Sequence, residues 1–156
     1  MPARVRWRSD ADAAWLADFF EREWGATTMV VNRREIDLTA LPTLIAGDRD
    51  GVAVMRFGDP ADLVLLHARV VGAGLGTDLL RAVEEAVRER GARSLRVTTT
   101  NDNLDALRFY QRRGFTLREL RRGAVEHART MKPAIPQLGR DGIPIRDEIE
   151  LERVLG

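Results

Sequence analysis

An α/β fold built on a mixed sheet is the architecture this chain predicts, and three observations carry the expectation. Short apolar stretches with strand character recur along the 156 residues, interleaved with strongly periodic helical segments. No internal repeat or break in composition divides the chain, so residues 1–156 are expected to form a single domain. A glycine-rich turn, Gly72-Ala-Gly74-Leu-Gly76-Thr77, joins one strand to the most regular helix.

Val5 to Arg8 reads as a first short strand. Asp10 can cap a helix from Ala11 to about Trp24, whose Trp15, Leu16, Phe19 and Phe20 fall on one face before Gly25 stops it. Thr28 to Val31 fits a strand or a loop, and Leu38 to Leu41 a turn closed by Pro42. Thr43–Ala46 and Val52–Phe57 read as a hairpin around the turn Asp48-Arg-Asp50-Gly51. A third strand spans Asp62 to His67. Thr77 to Arg90 is the most regular helix: Leu79, Leu80, Val83, Ala86 and Val87 share a face, and Gly91 follows the end. Ser94–Thr99 is a strand, Asn103–Arg113 a helix closed by Gly114, and Phe115–Leu120 another strand. Ala124 to Met131 reads as a short helix, and prolines and glycines from Pro133 to Pro144 mark a loop. The last stretch, Glu148 to Leu155, alternates apolar and charged residues as a half-buried strand does.

Composition narrows the chemistry. The net charge of +1 gives no general attraction to nucleic acid or anionic membrane. There is no cysteine, so disulfides, thiol nucleophiles and thiolate metal sites are excluded. The two histidines, His67 and His127, lie far apart in sequence, and no metal site is expected. The N-terminal residues have no apolar core of a secretory signal and no run is long enough to span a bilayer, so the expected compartment is the cytoplasm.

Alternate glycines between a strand and a helix permit left-handed backbone and close approach of a ligand. The helix behind them offers unpaired N–H groups and a positive dipole end, which suits a phosphate or pyrophosphate. Taken alone, the pattern fits a ligand-free connection equally well. A P-loop needs a lysine at its end, and none is present here. The glycine spacing and the strand end Thr98-Thr-Thr-Asn101 also depart from a dinucleotide-binding fingerprint.

Downstream lies Asn103-x-x-Ala106-x-x-Phe109-Tyr110-x-x-x-Gly114-Phe115. In order and spacing, the two motifs together resemble the GNAT (GCN5-related) N-acetyltransferases. One position departs: where the family has Arg or Gln ahead of the glycines, this chain has Val71, while Arg69-Val-Val-Gly72-Ala-Gly74 fits two residues early. The resemblance implies a single-domain, mostly antiparallel mixed sheet with flanking helices and a splayed parallel strand pair. It implies acetyl-CoA as co-substrate, with the pantetheine arm entering the splay and pairing with the backbone of Leu66, His67 and Ala68. The pyrophosphate is then expected on Val71, Gly72, Ala73, Gly74, Leu75, Gly76 and Thr77. Asn103 reaches a pantetheine amide, Ala106 and Phe109 pack on the arm, and Arg112 meets the adenosine phosphates. Read residue by residue, Asn101 and Asn103 fit helix caps, Phe109 and Tyr110 core aromatics, and Arg112 a solvated face.

Acetyl transfer to an amine needs a deprotonated nucleophile, donors aimed at the developing oxyanion and a proton for the leaving thiolate. By the resemblance, an amide at Leu66 supplies the oxyanion contact and Tyr110 the proton. Asp62 is the expected base, acting through water, with His67 second; a turn residue is the plain reading of Asp62. The run Arg146-Asp147-Glu148-Ile-Glu150-Leu-Glu152 is an acidic rim favouring a cationic acceptor, or a charged edge strand that resists aggregation. The expected activity is direct N-acetylation of a primary amine, small or exposed on a peptide. A ribosomal-protein-type N-terminal acetyltransferase and a non-catalytic acyl-CoA sensor are the alternatives. A homodimer is compatible with the resemblance.

Overall fold

The structure, a computed structural model, describes residues 4–69 and 72–156. Two compact units are distinguished by contact: residues 1–28, 37–95 and 155–156 in the first, and residues 29–36 and 96–154 in the second.

In the first unit, β1 (Val5–Trp7), β4 (Thr43–Ala46), β5 (Gly51–Arg56) and β6 (Ala61–Ala68) lie side by side in that order. Each neighbouring pair is antiparallel. The expected hairpin is therefore β4–β5. Along β6 the register steps from Val54↔Leu65 to Met55↔Leu63, so Val64 is an extra residue and β6 bulges there. Such a bulge bends its strand and sharpens the local twist. Helix α1 (Ala13–Trp24) is preceded by a short 3-10 turn, Asp10–Asp12, and ends on left-handed Gly25. Helix α2 (Leu75–Glu89) packs on β1, β4, β5 and β6. Its Leu79, Leu80 and Val83 are buried, as are Leu44, Ile45, Val52, Val54 and Leu63 of the strands. Each such side chain contributes about 1.5–3 kcal/mol by leaving water. The periodic face read from the sequence is thus the one that closes this core.

In the second unit the strand order is β7 (Ser94–Thr100), β9 (Glu148–Val154), β8 (Thr116–Arg121), with β8 and β9 antiparallel. Helices α3 (Leu104–Arg112) and α4 (Ala124–Met131) belong here. A two-stranded ribbon, β2 (Thr28–Val31) with β3 (Arg34–Asp37), turns through Asn32 and Arg33, both at positive φ. No strand signal is legible at β3, where Ile36 is the one apolar residue.

The charged final strand is not an edge. β9 lies between β7 and β8, and its alternate glutamates meet arginines. Glu148 accepts from Arg121 Nε at 2.9 Å, Glu150 from Arg121 and Arg118 at 3.2 and 2.5 Å, and Glu152 from Arg96 at 2.7 Å. Arg121 also donates to Thr98 Oγ1 at 2.7 Å. Glu148 and Glu150 are buried. An isolated buried carboxylate is too costly to persist, so the pairing lets this strand occupy an interior position. The run is a neutralised ladder rather than the acidic rim or the edge strand expected of it.

Candidate cofactor and catalytic site

Helix α2 begins two residues before the Thr77 start that the sequence suggests. Gly72 and Gly74 take φ of 89° and 78°, and helix α2 starts at Leu75, so Gly76 sits within its first turn. Gly74 is the N-cap and brings no side-chain acceptor. The first bond within the helix is Asp78 N–H to Gly74 O at 3.0 Å, so the N–H groups ahead of it have no acceptor in the helix. A Cβ on Gly72 would meet nothing within 4 Å, and one on Gly74 would first meet Arg4 Nη2 at 3.6 Å. Space, a helix start with no side-chain cap and the positive dipole end coincide, which is the arrangement a pyrophosphate requires. Ala73 is exposed, Leu75 is buried in the core and Thr77 is half-buried. Val71 lies outside the described residues.

The start of α3 contrasts with this one, whereas the N-cap residues of α1 and α4 also make no side-chain cap bond. The Asp12 carboxylate accepts from Ser9 N–H at 2.9 Å ahead of α1, Asn103 Oδ1 accepts from Ala106 N–H at 3.1 Å in α3, and Asp147 Oδ1 accepts from Gly123 N–H at 2.8 Å at α4. Asn103 therefore does the capping that its plain reading predicted, and its Nδ2 makes no hydrogen bond among the described residues.

A residue that sequence reasoning missed stands at the cradle. The Arg4 guanidinium donates from Nη2 to Ala73 O at 3.2 Å and from Nε to Asp78 at 3.0 Å, and Nη2 also reaches that carboxylate. Asp78 sits in the first turn of α2, where its charge suits the dipole but opposes an incoming phosphate. Arg4 offsets that charge. The partners are 74 residues apart, so no local pattern signals the pair. Arg69, the early match to the family's basic position, is instead bound to Asp50 at 2.6 Å.

On β6, Leu66, His67 and Ala68 are half-buried. The His67 ring stands edge-on to Phe19 and Trp24, with centroids at 5.1 and 5.6 Å. Burial holds its imidazole below the ordinary histidine value, with Glu23 opposing, so the ring is neutral at pH 7. Asp62 is part-exposed and lies 3.8 Å from the Arg56 guanidinium. It precedes Leu66 by four residues, about 13 Å along a strand, so a role at the Leu66 amide has to run through water.

In the second unit, α3 carries Ala106 and Phe109 half-buried, Tyr110 buried and Arg112 exposed. The Arg113 guanidinium covers the Phe109 ring at 3.7 Å. Tyr110 is held by Phe109 and Phe115, each at 5.3 Å between centroids. Its hydroxyl makes no hydrogen bond among the described residues. Among the described residues, no fully buried side-chain oxygen or nitrogen lacks a partner. Burial pushes the phenol pKa above its usual value, keeping the proton on.

Asn101 is no helix cap. Its Oδ1 accepts from Arg146 N–H at 2.9 Å and Asp147 N–H at 3.0 Å, and its Nδ2 donates to Pro144 O at 2.9 Å. Buried Asp102 accepts from Arg140 N–H at 3.1 Å. The end of β7 thereby clamps the 139–147 loop.

The model of the Acetyltransferase (GNAT) family matches residues 14–115, which include β6, the glycine turn and α3. The chain belongs to the GNAT acetyltransferase family. Among curated proteins it is 39% identical over 142 residues to YxbD of Bacillus subtilis (strain 168), covering 88% of this chain and 89% of that one; YxbD is itself uncharacterised. Its fold is similar to that of an IAA acetyltransferase from Bacillus cereus ATCC 14579, at TM-score 0.69 and 23% identity over 97% and 98% of the two chains. A GNAT family acetyltransferase from Elizabethkingia anophelis with acetyl-CoA bound gives TM-score 0.67 and 19% identity over 99% and 100%. The fold class is therefore the GNAT α/β fold: a mixed, mostly antiparallel sheet with one parallel pair and flanking helices.

Proposed function

We propose that this GNAT chain moves an acetyl group from acetyl-CoA to a primary amine by direct transfer. One observation carries the reading: the start of α2 is uncapped behind two left-handed glycines, in a chain of an acetyltransferase family. The backbone from Gly72 to Thr77 holds the pyrophosphate. Leu66, His67, Ala68, Asn103, Ala106, Phe109 and Arg112 keep the cofactor roles that the family motif gives them. The extent of the fold similarity, 97% of this chain, favours one acetyltransferase domain across residues 1–156.

The amine nitrogen bonds to the thioester carbonyl carbon as the C–S bond breaks. Asp62 takes the amine proton through water, the Leu66 amide donates to the carbonyl oxygen, and Tyr110 gives its proton to the departing sulfur. The phenol is then reprotonated from solvent. No side chain becomes acetylated, so the absence of cysteine is no obstacle.

The test is thermal stabilisation by acetyl-CoA, followed by a screen of primary amines and N-terminal peptides for CoA release. Stabilisation with turnover on at least one amine is expected. Stabilisation without any turnover would transfer the reading to a sensor, and no stabilisation would remove it.

A further inference from the structure

We propose that the cavity between α1, the β4–β5 turn and β6 takes the acceptor, and that this acceptor is a small protonated amine with an apolar or aromatic body. The inference rests on the acetyltransferase reading and adds the substrate class to it. The cavity measures about 260 Å³ and lies wholly within the first unit. It falls just under the roughly 300 Å³ at which sites for drug-sized ligands begin, so it suits a monoamine and not a peptide segment.

Its wall is aromatic. Trp15 stacks on Phe19 at 5.2 Å, and Phe19 meets His67 edge-on at 5.1 Å. Such rings attract an ammonium with an apolar body. The charges around the mouth decide the sign of the ligand. Three arginines line the cavity, and all three are engaged: Arg22 with Asp18 at 2.9 Å, Arg49 with Asp12 at 3.2 Å, and Arg69 with Asp50 at 2.6 Å. Arg49 also lies over Trp15 at 5.3 Å. The carboxylates of Glu23 and Asp48 line the same cavity, and neither makes an ion pair or a side-chain hydrogen bond among the described residues. Asp12 is shared between Arg49 and Arg6, and the Asp48 charge also acts on Arg6, so four arginines meet five carboxylates here, and an incoming cation completes the one negative charge left over. His67, neutral at pH 7, adds no repulsion. It also directly follows Leu66, so the cavity runs alongside the strand to which the oxyanion contact is assigned.

The experiment titrates the whole protein with phenethylamine and with its neutral analogue 2-phenylethanol, read by tryptophan fluorescence, which Trp15 reports from the cavity wall. Saturable binding of the amine, about tenfold tighter than the alcohol, is expected. The double variant Glu23→Gln/Asp48→Asn should remove most of that preference while its acetyl-CoA Kd stays unmoved. Trp15→Leu, which removes the reporter and is therefore read by calorimetry, should weaken both ligands. Equal binding of amine and alcohol, an unchanged amine Kd in the double variant, or no saturation up to roughly 10 mM would each overturn the assignment. These outcomes need no turnover. A failure of acetyl-CoA to bind would remove the acetyltransferase reading separately.

Discussion

Replacing Tyr110 by Phe separates chemistry from folding more cleanly than any other substitution in this protein. The ring is 6% exposed and sits between Phe109 and Phe115, all of which phenylalanine retains. The hydroxyl has no hydrogen-bond partner among the described residues, so its removal strands no donor or acceptor. The expected change in stability is therefore small, within about 0.5 kcal/mol, as for substitutions that break no named interaction. Loss of the proton donor is expected to lower kcat by about 10²–10⁴. That corresponds to roughly 2.7–5.4 kcal/mol of transition-state stabilisation. Two opposing effects set where in this range the loss falls. Burial raises the phenol pKa and makes it a weaker acid. The same dry surroundings raise the basicity of a leaving thiolate, whose reference pKa is about 8.5. Because the phenol stays protonated, the wild-type rate should show no break from Tyr110 between about pH 6 and 9. The assay is initial-rate CoA release at saturating acetyl-CoA, with Tm measured alongside. Equal kcat in the two proteins, or a fall in Tm large enough to explain lost activity, would refute the reasoning.

Other perturbations follow from the same geometry. Asp62→Asn should reduce kcat/KM most near neutral pH, and the deficit should shrink as pH approaches about 10, where free amine is abundant; a uniform deficit would point to acceptor binding instead. Arg4→Ala should weaken CoA binding several-fold, Asp78→Asn should not, and the double variant should return toward wild type; an unchanged Kd in Arg4→Ala refutes the charge-offset role. Asp12 is buried, and its hydrogen bonds from Arg6 and then Ser9 hold its carboxyl well below the usual range. A depressed carboxyl pKa stabilises the fold fully above the unfolded value near 4, and that stabilisation is lost as pH falls toward the folded one. Asp12→Asn should therefore lower Tm at pH 7, with the gap closing in thermal melts near pH 2; a gap independent of pH would contradict the linkage.

What the sequence determines by itself here is local. The apolar face of α2, the hairpin β4–β5 and the bounds of α4 are legible because each depends on side-chain spacing within one element. The glycine turn and the α3 motif are legible as a family signature because backbone donors and capping groups are needed at fixed offsets along the chain. The ribbon strand β3 is not, since one apolar residue sets no period. Tertiary structure alone decides the rest. It inserts β9 between β7 and β8, and so turns an apparent acidic rim into pairs with Arg96, Arg118 and Arg121. It assigns Asn101 to a distant loop, sets Arg4 against Asp78, and stands His67 beside α1 rings. These are contacts between segments dozens of residues apart. The energy of a charge or a polar group depends on what faces it, and one-dimensional spacing carries no record of that.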